Sequence, residues 1–93
     1  MALDFEWDPV KAELNLKEHR VSFDEATTIF RDTLSITISD PDHSGYEDRF
    51  IDIGMSHRMR LLVVSYTERK DKIRIISARR ATRAERKTYE ETN

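Results

Sequence analysis

Apolar and acidic residues alternate from Leu3 through Asp4, Phe5 and Glu6 to Trp7, the period-two pattern of a half-buried strand. Asp8-Pro9 follows, a side-chain acceptor placed to cap a helix whose first position holds proline. That helix is predicted over residues 9–19. Val10 and Leu14 lie four apart, as do Ala12 and Leu16, so these positions are expected to form a broad apolar face toward the core. The opposite stripe is Lys11, Asn15 and His19. Ser22 and Glu25 make a capping box that opens a short second helix over residues 23–30, with Phe23, Ala26 and Phe30 on its inner face. Residues 34–39 alternate again and predict a strand with one wet face. Residues 40–45 are rich in turn formers and read as a loop. Strands follow over 49–56, 60–67 and 72–78, joined by turns near 57–59 and 68–71. In the first of these three, Arg49, Ile51, Ile53 and Met55 share a face. Thr82 and Glu85 form a second capping box, opening a last helix over residues 83–91. The order is β-α-α-β-β-β-β-α. Strands in succession joined by short turns favour a mainly antiparallel sheet packed by helices, an α+β fold.

The chain has 93 residues, a length that suits one domain over residues 1–93 and buries only about 60–65% of the unfolded surface. Charged residues make up 37% and cysteine is absent, which excludes disulfides and thiolate metal sites and suits a reducing cytoplasm. The opening residues show neither the basic nor the apolar stretch of a secretion signal. The longest apolar run, Leu61 to Val64, is far too short to span a membrane. The net charge of −2 conceals a division. Residues 1–56 hold five Lys and Arg against thirteen Asp and Glu, a balance of −8. Residues 57–87 hold eleven against three, a balance of +8. Such asymmetry points to an anionic partner for the basic part, unless the two halves face each other in the fold.

Candidate chemistry concentrates in the basic part. Two glycines cannot build a phosphate-cradling loop. His19, His43 and His57 lie far apart among turn and loop residues, without metal-ligand spacing, so no metal or cofactor is expected. What remains is a set of arginines. Arg79 and Arg80 stand where the last strand meets a capped helix N-terminus, whose free N–H groups attract anions. Guanidinium forks hold phosphate with two hydrogen bonds and stay charged at any working pH. Successive strand residues point to opposite faces, so the two arginines are able to serve different surfaces; equally, they are able to pair with the chain's own carboxylates. Arg49 and Arg60 open neighbouring strands, Arg74 lines the last one, and Arg83, Arg86 and Tyr89 follow a spacing of three along the last helix, beside Lys87. His19 closes the first helix.

Taken in order, these segments resemble the BrnT family, toxins of type II toxin–antitoxin systems with a RelE-like fold. The resemblance is carried by FEWDPVKAELNLKEH at residues 5–19, VSFDEA at 21–26, RFIDIGMS at 49–56, RLLVVSYTER at 60–69 and IRIISARRATRAERKTYE at 73–90. One departure is Arg20, where the family usually has the glycine that caps a helix in a left-handed conformation. The resemblance implies a ribonuclease that blocks translation. It also implies a BrnA-like antitoxin with a ribbon-helix-helix part, through which alone the complex would meet operator DNA. Such an enzyme needs no metal if RNA supplies its 2′-OH as nucleophile and fixed cations stabilise the charge developing on phosphorus. On that reading Arg79 and Arg80 are expected at the phosphate with Arg49 and Arg60 assisting. His19 and Tyr89 are candidates for proton transfer or base stacking. Arg74, Arg83, Arg86 and Lys87 are candidates for tracking the RNA backbone. The competing expectations are a non-catalytic module that binds nucleic acid or a partner as co-repressor, and a purely structural partner of a regulator.

Overall fold

The computed structural model describes residues 3–39 and 48–93; the loop expected over residues 40–45 lies outside them. Five strands form one sheet: β1 (Asp4–Glu6), β2 (Ile36–Ser39), β3 (Arg49–Met55), β4 (Leu61–Arg69) and β5 (Lys72–Arg80). Their spatial order is β1-β5-β4-β3-β2. Strands β2 to β5 form the antiparallel meander that the short turns predict. Strand β1 pairs with β5 in parallel, Phe5 opposite Ile73. Three helices complete the fold, α1 (Pro9–His19), α2 (Phe23–Thr27) and α3 (Arg83–Thr92). A 3-10 turn, Thr28–Arg31, takes up the second half of the predicted second helix.

Helices α1 and α2 cover one face of the sheet. Val21, Phe23, Ala26 and Ile29 pack there on Leu62, Val64, Tyr66, Ile75 and Ala78. Trp7 meets Phe23 edge-on at 5.9 Å, and Phe30 meets Tyr66 at 5.0 Å. Helix α3 covers part of the other face, where Tyr89 packs with Ile53, Leu61 and Val63. Gly54 lies where β3 passes the 3-10 turn: a Cβ there would come within 3.1 Å of the Cβ atoms of Ile29 and Ser35.

One register shift decides how the basic strand is read. Ser65 pairs with Ser77 and Tyr66 with Ile75, so Ile76 is an extra residue, a β-bulge. The adjacent Ile75 and Ile76 that break the alternation are thereby accommodated. Beyond the bulge, Ala78 and Arg80 continue on the α1–α2 face, and Arg79, opposite Val63, stands on the α3 face.

The apolar face predicted for α1 is not the face it buries. Val10, Leu14 and Leu16 are 62%, 51% and 48% exposed, whereas Asn15 is 7% exposed. The carboxamide of Asn15 explains the inversion. Its Nδ2 donates to Val21 O at 2.9 Å and Ala78 O at 2.8 Å, and its Oδ1 accepts from Ala78 N at 3.1 Å. Ala78 precedes the point where β5 leaves its neighbours, and its backbone groups lie buried beneath α1. Buried backbone groups must be paired, and Asn15 satisfies three of them at once. Helix α1 is therefore rotated to bring an amide, and not its leucines, onto the sheet.

Two stability predictions follow from these geometries. Asn15→Ala strands three buried polar groups and is expected to cost about 3 kcal/mol or more, and Asn15→Leu, although it fits the apolar pattern, is expected to do no better; urea unfolding measures both. Arg20 caps α1 at φ 59° and ψ 30°, a conformation that costs a residue with a Cβ about 1 kcal/mol. Arg20→Gly is expected to recover that amount, and an unchanged or lowered unfolding midpoint would disprove the strain.

Candidate functional site

The basic candidates divide between one end of the sheet and positions away from it. At one end of the sheet, three segments meet: the C-terminus of α1, the turn between β3 and β4, and the junction of β5 with α3. The bonds that gather them are specific. Arg60 Nη2 donates to Arg20 O at 3.0 Å, joining the turn to α1. Ser56 and Arg60 close the turn, Ser56 N donating to Arg60 O at 2.8 Å. Leu62 pairs with Arg80, and Ala81 N donates to Leu61 O at 2.9 Å, joining β4 to the junction.

At the centre of this end is Glu25, buried at 2% exposure. Arg60 Nε donates to its Oε2 at 2.9 Å and Arg60 Nη2 to its Oε1. Ser56 Oγ donates to Oε2 at 2.7 Å. Arg58 stands 3.6 Å away, largely exposed. The Arg60 guanidinium, foremost by hydrogen bonding, holds the Glu25 carboxyl below the usual carboxylate range against the opposing effect of burial. Arg60, expected to assist at a phosphate, thus has its guanidinium committed to Glu25 and Arg20.

Arg79 is committed in the same manner. Its Nη1 and Nη2 donate to Glu85 Oε1 and Oε2 at 2.7 and 2.8 Å, a fork-to-fork pair. Glu85 also accepts from Thr82 N at 2.8 Å, while Thr82 Oγ1 accepts from Glu85 N at 3.2 Å. One carboxylate thereby closes the capping box of α3 and anchors the last strand. Hydrogen bonding from Arg79 is the main reason that the Glu85 pKa falls to about 2.

Arg80 and Arg83, on the junction of β5 with α3, are exposed, as are Arg20 and Arg58 on the other two segments. Among the described residues, the side chains of Arg20, Arg80 and Arg83 have no ion-pair partner. His19, at the end of α1, lies 3.8 Å from Glu18. Arg20 and Arg58 are the residues that sequence reasoning passed over: Arg20 was noted only as a helix cap and Arg58 only as part of a turn. Their signal was their place in turns flanking the basic strand, legible only once the turns are known to meet.

The remaining candidates lie elsewhere. Arg49 is half-buried on the α3 face, opposite Thr67. Arg74, two positions from the start of β5, pairs with Glu6 at 2.8 Å. Tyr89 is turned inward at 8% exposure, and its hydroxyl donates to Asp32 at 2.6 Å. Burial and this bond raise its pKa to about 12, and its ring is packed against Ile53, Leu61 and Val63. The ridge expected along α3 therefore divides: Tyr89 is buried and Arg86 is exposed. Lys87 lies on the exposed side, 3.9 Å from Glu91. Among the described residues no three His, Cys, Asp or Glu side chains converge as metal ligands, and no helix is long and apolar enough to cross a membrane.

The structure is thus a small α+β protein with a mainly antiparallel sheet and exposed arginines at one end of it. The model of the BrnT toxin family, described as the ribonuclease toxin BrnT of type II toxin–antitoxin systems, matches residues 7–85. The chain belongs to that family. The fold is also that of the Brucella abortus ribonuclease toxin BrnT, whose crystal structure it matches with a TM-score of 0.66 at 24% identity, over 88% of this chain and 100% of that one. No curated protein matches the chain.

The Glu85–Arg79 pair carries a pH prediction. Because the folded pKa of about 2 lies below the ordinary value of 4.5, the stabilisation is complete above pH 4.5 and is lost as pH falls toward 2. Glu85→Gln is expected to lower the thermal midpoint at pH 7 and to flatten its decline over that acid range. Parallel pH profiles for the two proteins would show that the pair contributes nothing.

Proposed function

We propose that the chain is a metal-independent endoribonuclease whose RNA site is the cationic end of the sheet. The observation that supports this reading most is the division of labour among the arginines there. Arg60 and Arg79 spend their forks on Glu25 and Glu85, and those pairs set the positions of the turn and the junction. Arg20, Arg58, Arg80 and Arg83 are left at the surface around them.

In this reading the RNA 2′-OH loses its proton and attacks the adjacent phosphorus, and the P–O5′ bond breaks, leaving a 2′,3′-cyclic phosphate and a 5′-hydroxyl that takes up a proton. Arg80 and Arg83, flanking the α3 N-terminus, neutralise charge as it develops on the phosphoryl oxygens. Arg20 and Arg58 hold flanking phosphates and fix the strand for in-line attack. His19 is the candidate for moving a proton, and Arg60 and Arg79 act as positioning residues. Four fixed cations supply the charge stabilisation that a metal would otherwise provide. Membership of a toxin–antitoxin family supports neutralisation by an antitoxin. The sequence resemblance points to a BrnA-like ribbon-helix-helix protein, through which the complex would contact operator DNA, and to action in the cytoplasm.

Purified chain freed from its antitoxin, incubated with RNA with and without chelator, tests the reading. Cleavage that survives chelator is expected. Arg80→Ala and Arg83→Ala, folded by circular dichroism, are each expected to cut more slowly by roughly 10²-fold, as loss of one preorganised donor does. Full activity in both variants would remove the site from this end of the sheet. RNA binding without cleavage would favour a co-repressor module instead.

A further inference from the structure

The inverted face of α1 leaves an apolar surface that the fold does not use. Val10 and Leu14 are one helical turn apart on the exposed side. On another flank of the helix, a groove of about 300 Å³ runs between α1 and α2. Trp7, Ala12, Leu16 and Phe23 line it, together with the exposed acids Glu13 and Asp24. Its aromatic wall is rigid, because Trp7 is held edge-on against Phe23. An exposed apolar strip with a polar rim marks a surface that another molecule covers.

The charge around the groove identifies the kind of occupant. Glu13 and Asp24 stand at the groove, in the half of the chain whose balance is −8. Acidic rims repel RNA and anionic lipid surfaces. They also oppose a second copy of this chain, since a two-fold contact places the same acids against each other. They suit a basic amphipathic helix, with apolar side chains at positions i, i+3 or i+4 entering the groove and Lys or Arg meeting the rim. We infer that the α1–α2 groove is the docking surface for the antitoxin, which presents a basic amphipathic helix to it. This rests on the reading of the chain as a toxin with such a partner. Leu16 is four residues before Arg20, about 6 Å along the helix, so an occupant of the groove lies one helical turn from the cationic end.

The test uses the full chain and the purified product of the antitoxin gene encoded with it. Leu16→Lys alters an exposed groove position and is expected to keep the fold. It is expected to weaken antitoxin binding at least tenfold in titration calorimetry. Glu13→Lys with Asp24→Lys is expected to weaken it at least tenfold and to reduce its dependence on salt. The free variants are expected to cut RNA as the parent does. Ile38→Lys, on the exposed edge strand β2, is expected to leave binding within threefold. Unchanged binding by Leu16→Lys, or loss of binding by Ile38→Lys alone, would overturn the groove assignment. Unchanged salt dependence in Glu13→Lys with Asp24→Lys would overturn the basic helix. Failure of the parent to cut RNA would instead count against the ribonuclease reading and leave these binding results standing.

Discussion

Glu25 is a carboxylate taken out of water, and most of the cationic end is arranged around that fact. A charge at 2% exposure is tolerated only with partners that replace its hydration. Arg60 and Ser56 supply them. In doing so they fix the turn between β3 and β4 against α2, and the second branch of Arg60 fixes the C-terminus of α1 through Arg20 O. The attraction within such a pair is largely offset by desolvation of both ions. What it secures is position: Arg58 and Arg20 are carried on segments whose backbones cannot drift apart. Removing either Glu25 or Arg60 leaves an unpaired buried charge, a loss of about 3–5 kcal/mol in a domain with little to spare.

The β-bulge at Ile76 is the second constraint, and it acts through geometry alone. A slip of one residue moves every following side chain to the other face. Without the bulge, Arg79 would share the face of Ile75 and point under α1, and Arg80 would point toward α3. With it, Arg79 meets Glu85 at the cap of α3 and Arg80 emerges beside α1 and the β3–β4 turn. One extra residue thus decides which arginine anchors the strand and which is left exposed. The tandem Arg79-Arg80 is not redundant: Arg79 meets Glu85 and Arg80 has no ion-pair partner among the described residues, because they lie on different faces.

The strand meander, the three helices, the capping box of α3 and the Ser22 cap of α2 were legible in the sequence, because each rests on local spacing and local hydrogen bonding; the box expected at α2 stays half-formed, since the Glu25 carboxylate turns to Arg60 and Ser56. Phe23, Ala26, Ile53 and Ile75 were legible as core for the same reason. Three features were not. The rotation of α1 depends on Asn15 finding Ala78, 63 positions away, and the apolar period gave the opposite answer. The second helix tightens into a 3-10 turn at Thr28, with Gly54 of β3 crossing it. The candidate site was legible as a list of arginines but not as a place, since hydrogen bonds across 35 and 40 positions join Arg60 to Glu25 and Arg20. Tyr89 shows the same limit: its spacing put it on a ridge with Arg83 and Arg86, and its burial took it off.

The opposed charges of the two halves resolve into both of the alternatives that the sequence left open. Some of the acids do face the basic part: Glu25 meets Arg58 and Arg60, and Glu6 meets Arg74. Those pairs are spent on holding strands and turns. Among the acids of α1 and α2 that remain exposed, Glu13 and Asp24 lie along an apolar groove, while the exposed Arg20, Arg58, Arg80 and Arg83 lie at the end of the sheet. Like charges kept together on separate surfaces produce local potentials that a mixed surface would cancel. The net charge of −2 therefore says little about what the molecule attracts. Helix α1 belongs to both surfaces, with Glu13 and Leu16 at the groove and Arg20 just past its C-terminus, and Asn15 sets the rotation that presents them together.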